Sequence, residues 1–247
     1  LAGKTDAFAL WNGCRAGQSV IDPSQLAMLA KKSNGADGGR GMTKLYAGAA
    51  TLAILAMLGG TFYAVNVGRS DDPFSDCRAG AIGGGAIGGP LSLIDGNNTP
   101  VTDIDIFTKP SLVYFGYTFC PDVCPLDNAR NAEAIDILEE KGIDAQPVFI
   151  SVDPLRDTAE VVRDFAANIH PKMIGLTGSE EQIRAASLAY KTYFKKQEDG
   201  GEFYLMDHST FTYLVLPKSG FADFFKRDDS AADIADRVAC FVNAAPN

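Results

Sequence analysis

The chain has 247 residues, 46% hydrophobic and 21% charged, with a formal net charge of −9. An acidic balance argues against nucleic acid or anionic lipid as the main partner. The length suits one α/β domain with a real core behind an N-terminal apolar segment. Five cysteines are too few for a disulfide scaffold and too many to ignore.

Residues 1–41 are polar, contain several glycines and show no clear periodicity. They read as a linker-like extension. Met42-Thr43-Lys44 has the form of a short basic start. Residues 1–41 are therefore taken as a non-native extension or a stretch upstream of the true start. A cytoplasmic tail is the rival reading. Cys14 falls here and is given no role. Residues 45–68 carry no charged side chain, enough to cross a hydrocarbon core of roughly 30 Å as a helix. The stretch exceeds the usual signal-peptide core of about 7–15 residues, and Ala64-Val65-Asn66 is a poor cleavage site. Residues 42–68 are thus expected to be a retained membrane anchor, not a cleaved signal peptide. Lys31, Lys32, Arg40 and Lys44 precede it, and Arg69, Asp71 and Asp72 follow. The positive-inside rule then puts the amino end in the cytoplasm and the large domain in the periplasm, tied to the inner membrane. Residues 69–86 are a tether. The run Gly83 to Pro90 lacks the Gly-Lys-Ser/Thr of a phosphate loop.

From residue 87 onward, strands and helices alternate. Residues 91–95 open a hairpin through the turn at Gly96-Asn97-Asn98. Residues 112–117 read as a buried strand. A helix over 126–141 follows, with Ala129, Ala132, Ile135 and Leu138 at helical spacing, Gly142 as stop and Pro125 at its first position. Residues 147–152 form a second buried strand. Thr158 caps a helix to 168. Residues 173–176 form a short strand, and Ser179 with Gln182 fits a capping box opening a helix to about 190. Residues 211–216 and 221–225 flank a turn, and 231–242 is the last helix. This order predicts an α/β, thioredoxin-like domain over 87–247. Residues 193–207 have no place in that minimal plan and read as an inserted segment.

The chemistry concentrates in Phe119-Cys120-Pro121-Asp122-Val123-Cys124-Pro125. The two thiols fall at a strand-to-helix junction, near the positive end of a helix dipole, which favours a thiolate. Asp122 between them is expected to cap that helix. A redox disulfide, a soft-metal site and a structural role all fit such a pair. Two cysteines do not complete a four-ligand zinc site, whereas soft thiolates select copper(I). The two histidines are His170 and His208. His170 reads as a helix-terminal surface residue. By itself, His208 in Met206-Asp207-His208-Ser209 reads as an ordinary residue at a strand start.

Tyr114 through Pro125, then Ser151-Val152-Asp153-Pro154-Leu155-Arg156-Asp157-Thr158, then Asp207-His208-Ser209 resemble the Sco/SenC family. Ile87-Gly88-Gly89-Pro90-Leu91 is also similar, so the likeness spans roughly 87–243 in order. Members are membrane-anchored, thioredoxin-fold proteins that carry copper to the dinuclear copper site of cytochrome c oxidase. The resemblance implies Cys120, Cys124 and His208 as ligands for copper(I), or for copper(II) with an added ligand. It makes the copper-site subunit of the oxidase the partner, beside another copper chaperone or a thiol reductant. It implies a binding and transfer protein, not an enzyme. The alternative is a thiol–disulfide oxidoreductase, with Cys120 and Cys124 as its redox pair, that reduces the partner's cysteines before metallation. A peroxidase is a weaker third reading. Asp207 is read either as an acceptor orienting the imidazole or as a solvated turn residue. The segment 153–157 is read as a partner-contact surface near the metal. A periplasmic domain permits disulfides, and a Cys77–Cys240 bridge is expected to tie the tether to the last helix, with two free thiols as the alternative.

Overall fold

Ser111–Gly116 is buried along its whole length and forms the centre of the sheet. The structure, a computed structural model, describes residues 40–67, 72–78 and 86–245. The chain divides into two units, Leu1–Ser70 and Asp71–Asn247. In the first, helix α1 (Arg40–Val67) contains the segment Tyr46–Tyr63 of mean hydropathy 1.4, long and apolar enough to cross a membrane. The extension before residue 40 with Cys14, the anchor's residue 68, and the tether residues 69–71 and 79–85 lie outside the described residues.

The second unit is built on seven strands: β1 (Ser92–Asp95), β2 (Pro100–Thr102), β3 (Ser111–Gly116), β4 (Gln146–Ser151), β5 (Ile174–Thr177), β8 (Thr212–Leu216) and β9 (Gly220–Phe225). Their order is β2-β1-β5-β4-β3-β8-β9. β3, β4 and β5 run parallel in register Val113↔Val148 and Val148↔Ile174. The flanking pairs β3–β8, β8–β9, β5–β1 and β1–β2 are antiparallel. The helices are α2 (Asp103–Ile106), α3 (Val123–Glu140), α4 (Ala159–Ile169), α5 (Glu180–Ala189) and α6 (Ala231–Ala244). This is the expected α/β thioredoxin-like plan.

Because strand side chains alternate between faces, the sheet carries two cores. Leu214 and Leu216 join Ile135 and Leu138 of α3 and Ile234, Val238 and Phe241 of α6. Tyr213 and Val215 join Val162 and Ala166 of α4 and Ile183 and Ala186 of α5. The caps hold as the sequence implies. Thr158 accepts the Val161 N–H, and Ser179 and Gln182 form a reciprocal capping box.

Several expectations change. α3 begins at Val123, not 126, so Pro125 is its third residue. That site is still within the first turn, where no N–H is needed. Ala129 is exposed, and the inward positions of the first turns are Cys124, Asp127, Asn128 and Asn131. A polar start is tolerated because these groups are paired: Asn128 Nδ2 donates to the Cys124 carbonyl at 2.8 Å and Asn131 Nδ2 to Thr212 Oγ1 at 3.0 Å. The inserted segment contains a two-stranded ribbon, β6 (Phe194–Lys196) with β7 (Met206–His208), separate from the main sheet. Cys77 and Cys240 form a disulfide with Cα atoms 5.6 Å apart. Beside it Phe74 packs on Phe241 with ring centroids 5.3 Å apart, so the segment 72–78 is sewn to α6.

Candidate metal centre

β3 ends at Gly116, and the turn that follows carries Cys120, whose N–H donates to the Tyr117 carbonyl at 3.3 Å. A glycine is required at the strand end. A Cβ on Gly116 would lie 2.9 Å from Cys124 Sγ and 2.9 Å from a Tyr114 ring carbon, closer than side chains approach. Cys124 is fully buried and Cys120 is 9% exposed.

The helix start is not capped as expected. Asp122 stands at the cap position but makes no side-chain cap bond. Cys120 Sγ instead accepts the Cys124 N–H at 3.4 Å. A sulfur at a helix N-terminus meets orphan N–H donors and the positive end of the dipole, both of which favour its anion.

His208 lies on β7, with Nε2 3.3 Å from Cys124 Sγ. Its Nδ1 is 2.9 Å from the Ser209 carbonyl. A carbonyl only accepts, so Nδ1 carries the proton and the Nε2 lone pair faces the sulfurs. Tyr114 and Tyr117 meet the imidazole edge-on, at centroid distances of 6.1 and 5.7 Å, and fix its plane. Asp207 has no part in this. It is exposed and accepts from Gln197 Nε2 at 2.6 Å. On a strand, neighbouring side chains point to opposite faces, so Asp207 faces away from the imidazole.

The two thiols share their protons unequally. The hydrogen bond from Cys124 holds the Cys120 thiol down at about 3, against the opposing effect of burial, with the N–H groups of Asp122 and Cys124 helping. The same bond to Cys120, together with burial, pushes the Cys124 thiol up. An unfolded cysteine titrates near ~8.5. The depressed Cys120 therefore stabilises the fold in full above about pH 8.5, and this contribution is lost as pH falls toward about 3. The raised Cys124 contributes below about pH 8.5 and loses its contribution as pH rises. In metal-free reduced protein, iodoacetamide should label Cys120 at a rate nearly flat from pH 5 to 8, read by peptide mass mapping. A rate rising about tenfold per pH unit, as for an ordinary thiol, would contradict this assignment.

The surrounding acids are more buried than their composition suggests. Asp157 is fully buried. It accepts from Thr118 N at 2.9 Å, Thr118 Oγ1 at 2.5 Å and Ser151 Oγ at 2.5 Å, which ties the Cys120 turn to the end of β4. Burial pushes its carboxyl up. Asp127 accepts from Tyr114 Oη at 2.9 Å, directly under the site. His170 is also buried, not at the surface. Its Nε2 meets Asp136 at 3.1 Å and its Nδ1 accepts the Lys172 N–H at 3.1 Å. It plays no part in the thiol site. In the segment 153–157, Asp153 and Asp157 face inward while Leu155 is 66% exposed.

The donor atoms of Cys120, Cys124 and His208 all lie within 4.8 Å of one another. A first-row metal with thiolate and imidazole bonds of roughly 2.0–2.3 Å would space three trigonal ligands about 3.5–4 Å apart. Small side-chain shifts suffice. Two sulfurs and one imidazole form a soft set that suits copper(I).

Comparison with known proteins agrees with this geometry. The family model described as SCO1/SenC matches residues 79–243. Protein SenC of Rhodobacter capsulatus is 50% identical over 203 residues, covering 82% of this chain and 92% of that protein. ScoI of Arabidopsis thaliana, crystallised with copper bound, is 42% identical with a TM-score of 0.60, covering 64% of this chain and 99% of that one. Yeast Sco1 with copper bound is 33% identical with a TM-score of 0.62, covering 66% of this chain and 91% of that one.

Proposed function

Because the chain belongs to the SCO1/SenC family, we propose that it carries copper for the assembly of cytochrome c oxidase, with Cys120, Cys124 and His208 as the ligands. The observation that carries this reading is the convergence of those three donor atoms within 4.8 Å, drawn from a strand-to-helix turn and a separate ribbon. The partner is the copper-site subunit of the oxidase. Copper(I) is the cargo. A three-coordinate ion has room for a fourth ligand, so a partner thiolate enters before a protein ligand leaves. Each exchange trades one metal–ligand bond for another, with no change of oxidation state. Binding displaces the proton held between the sulfurs, so affinity falls in acid. Helix α1 anchors the domain to the inner membrane, with the domain on the periplasmic side.

The second reading is thiol–disulfide exchange with the partner's cysteines. The depressed Cys120 thiol supports it, since a thiolate is the attacking species. The imidazole separates the two readings, because exchange needs no nitrogen donor. In detergent, the reduced chain should bind one copper(I) in competition with a chelator. His208→Ala should weaken binding at least as much as the roughly 10–100-fold that loss of a supporting hydrogen bond costs at a metal site. Unchanged affinity would exclude His208 as a ligand and favour the exchange reading.

A further inference from the structure

His208 arrives on a ribbon with few attachments of its own. β6 and β7 pair with each other, Phe194↔His208 and Lys196↔Met206, outside the main sheet. A two-stranded hairpin is at best marginally stable in water. Among the described side chains of residues 194–208, only Tyr204 and Met206 are buried. Tyr204 and Met206 therefore hold the histidine, and of the two Tyr204 carries the polar attachment.

Tyr204 Oη donates to Asp153 Oδ1 at 2.6 Å. The other oxygen of that carboxylate accepts from Arg156 Nε at 2.6 Å. The Arg156 guanidinium then lies over the Tyr204 ring, 3.6 Å from its centroid. The same guanidinium is 4.9 Å from the Phe119 centroid and 5.8 Å from that of Tyr117. Phe119 adjoins Cys120, and Tyr117 packs edge-on against His208. One planar cation thus touches the histidine ribbon on one side and the cysteine turn on the other. Its Nη2 is buried without a hydrogen-bond partner, so ring faces and one carboxylate hold it in place. A lysine would keep the charge but lose the plane that stacks.

We propose that Arg156 is a positioning residue that clamps the ribbon to the cysteine turn and so sets the place of the His208 imidazole relative to the two sulfurs. It touches no ligand atom and acts through Asp153 and Tyr204. The inference rests on the copper-ligand reading given above.

The test is a cycle of four full-length chains: wild type, Arg156→Ala, His208→Ala and the double variant. Copper(I) affinity is measured by chelator competition, and nitrogen hyperfine coupling is read by electron paramagnetic resonance on the copper(II) form. With His208 present, Arg156→Ala should weaken copper(I) binding about tenfold, the lower end for a supporting residue at a metal site, and reduce the nitrogen coupling. With alanine at 208, it should change affinity less than about twofold, because the clamp has nothing left to place. Arg156→Lys should behave as Arg156→Ala does, and Tyr204→Phe should shift affinity in the same direction. Equal loss in both backgrounds would mean general damage and overturn the inference, as would no loss in either. If His208→Ala alone leaves affinity unchanged, the ligand reading itself falls, and the single variant shows that separately. Should Arg156→Ala fail to unfold cooperatively, Arg156→Lys and Tyr204→Phe carry the same cycle.

Discussion

A Cys120→Ser chain is expected to lose tight copper(I) binding while keeping its fold. Structural zinc sites bind with roughly 10–16 kcal/mol over four ligands, or about 2.5–4 kcal/mol and ~10²–10³-fold for each. Replacing a thiolate by a hydroxyl removes the soft donor outright, so the loss should reach that range. The fold should survive for a local reason. The sulfur accepts the N–H groups of Asp122 and Cys124, and a hydroxyl accepts such bonds as readily. Far-ultraviolet circular dichroism should therefore stay near that of the parent, with a lower melting temperature because the stabilising thiolate is gone, while chelator competition shows the metal released. A Cys120→Ser chain with full copper affinity would overturn the copper assignment.

The second large effect concerns stability. The Cys77–Cys240 bridge closes a loop of 163 residues. The chain-entropy relation gives about 5 kcal/mol for a loop of that size, and measured bridges usually deliver ~2–4 kcal/mol. At roughly 2–4 °C per kcal/mol for a domain of this length, the doubly substituted Cys77→Ser, Cys240→Ser chain should melt about 5–15 °C lower. Fully reduced parent protein should melt with it. Copper affinity should change little, because Cys77 lies in the core on the α3–α6 side of the sheet, whereas Cys120 and Cys124 belong to the other core. A melting temperature unchanged by removing the bridge would show that the unfolded chain gains nothing from its release.

The parts of this protein that announce themselves in the sequence are those with a long or repeated signal. The strand before Cys120 is six buried residues, and the capping residues Thr158 and Ser179 act at short range. The anchor-like helix holds a run without charges from residue 45 to its end. The ribbon is different: its strands are three residues each, too short for any period to emerge. His208 was legible only through its resemblance to a family motif, because 84 residues separate it from Cys124. Asp122 misled because aspartate often caps a helix, and here a neighbouring sulfur does that work. Of the two readings of Asp207 the solvated one holds, because the pleat turns it away from the imidazole. Tyr114 and Tyr117 read as strand apolars, and nothing local marks them as the walls of a histidine pocket. Nothing local marks His170 as buried, because its partner, Asp136, is supplied by a different helix.

The bridge at Cys77 also sets a distance. With α1 as the anchor, ten residues run from its last residue, Val67, to Cys77. At about 3.5 Å per residue that leash reaches at most ~35 Å. Were the bridge open, the next tie to the domain would be Gly88, whose N–H donates to the Ala189 carbonyl, and 21 residues would span up to about 74 Å. Oxidation at Cys77 and Cys240 thus more than halves the length of chain free to extend between α1 and the folded domain.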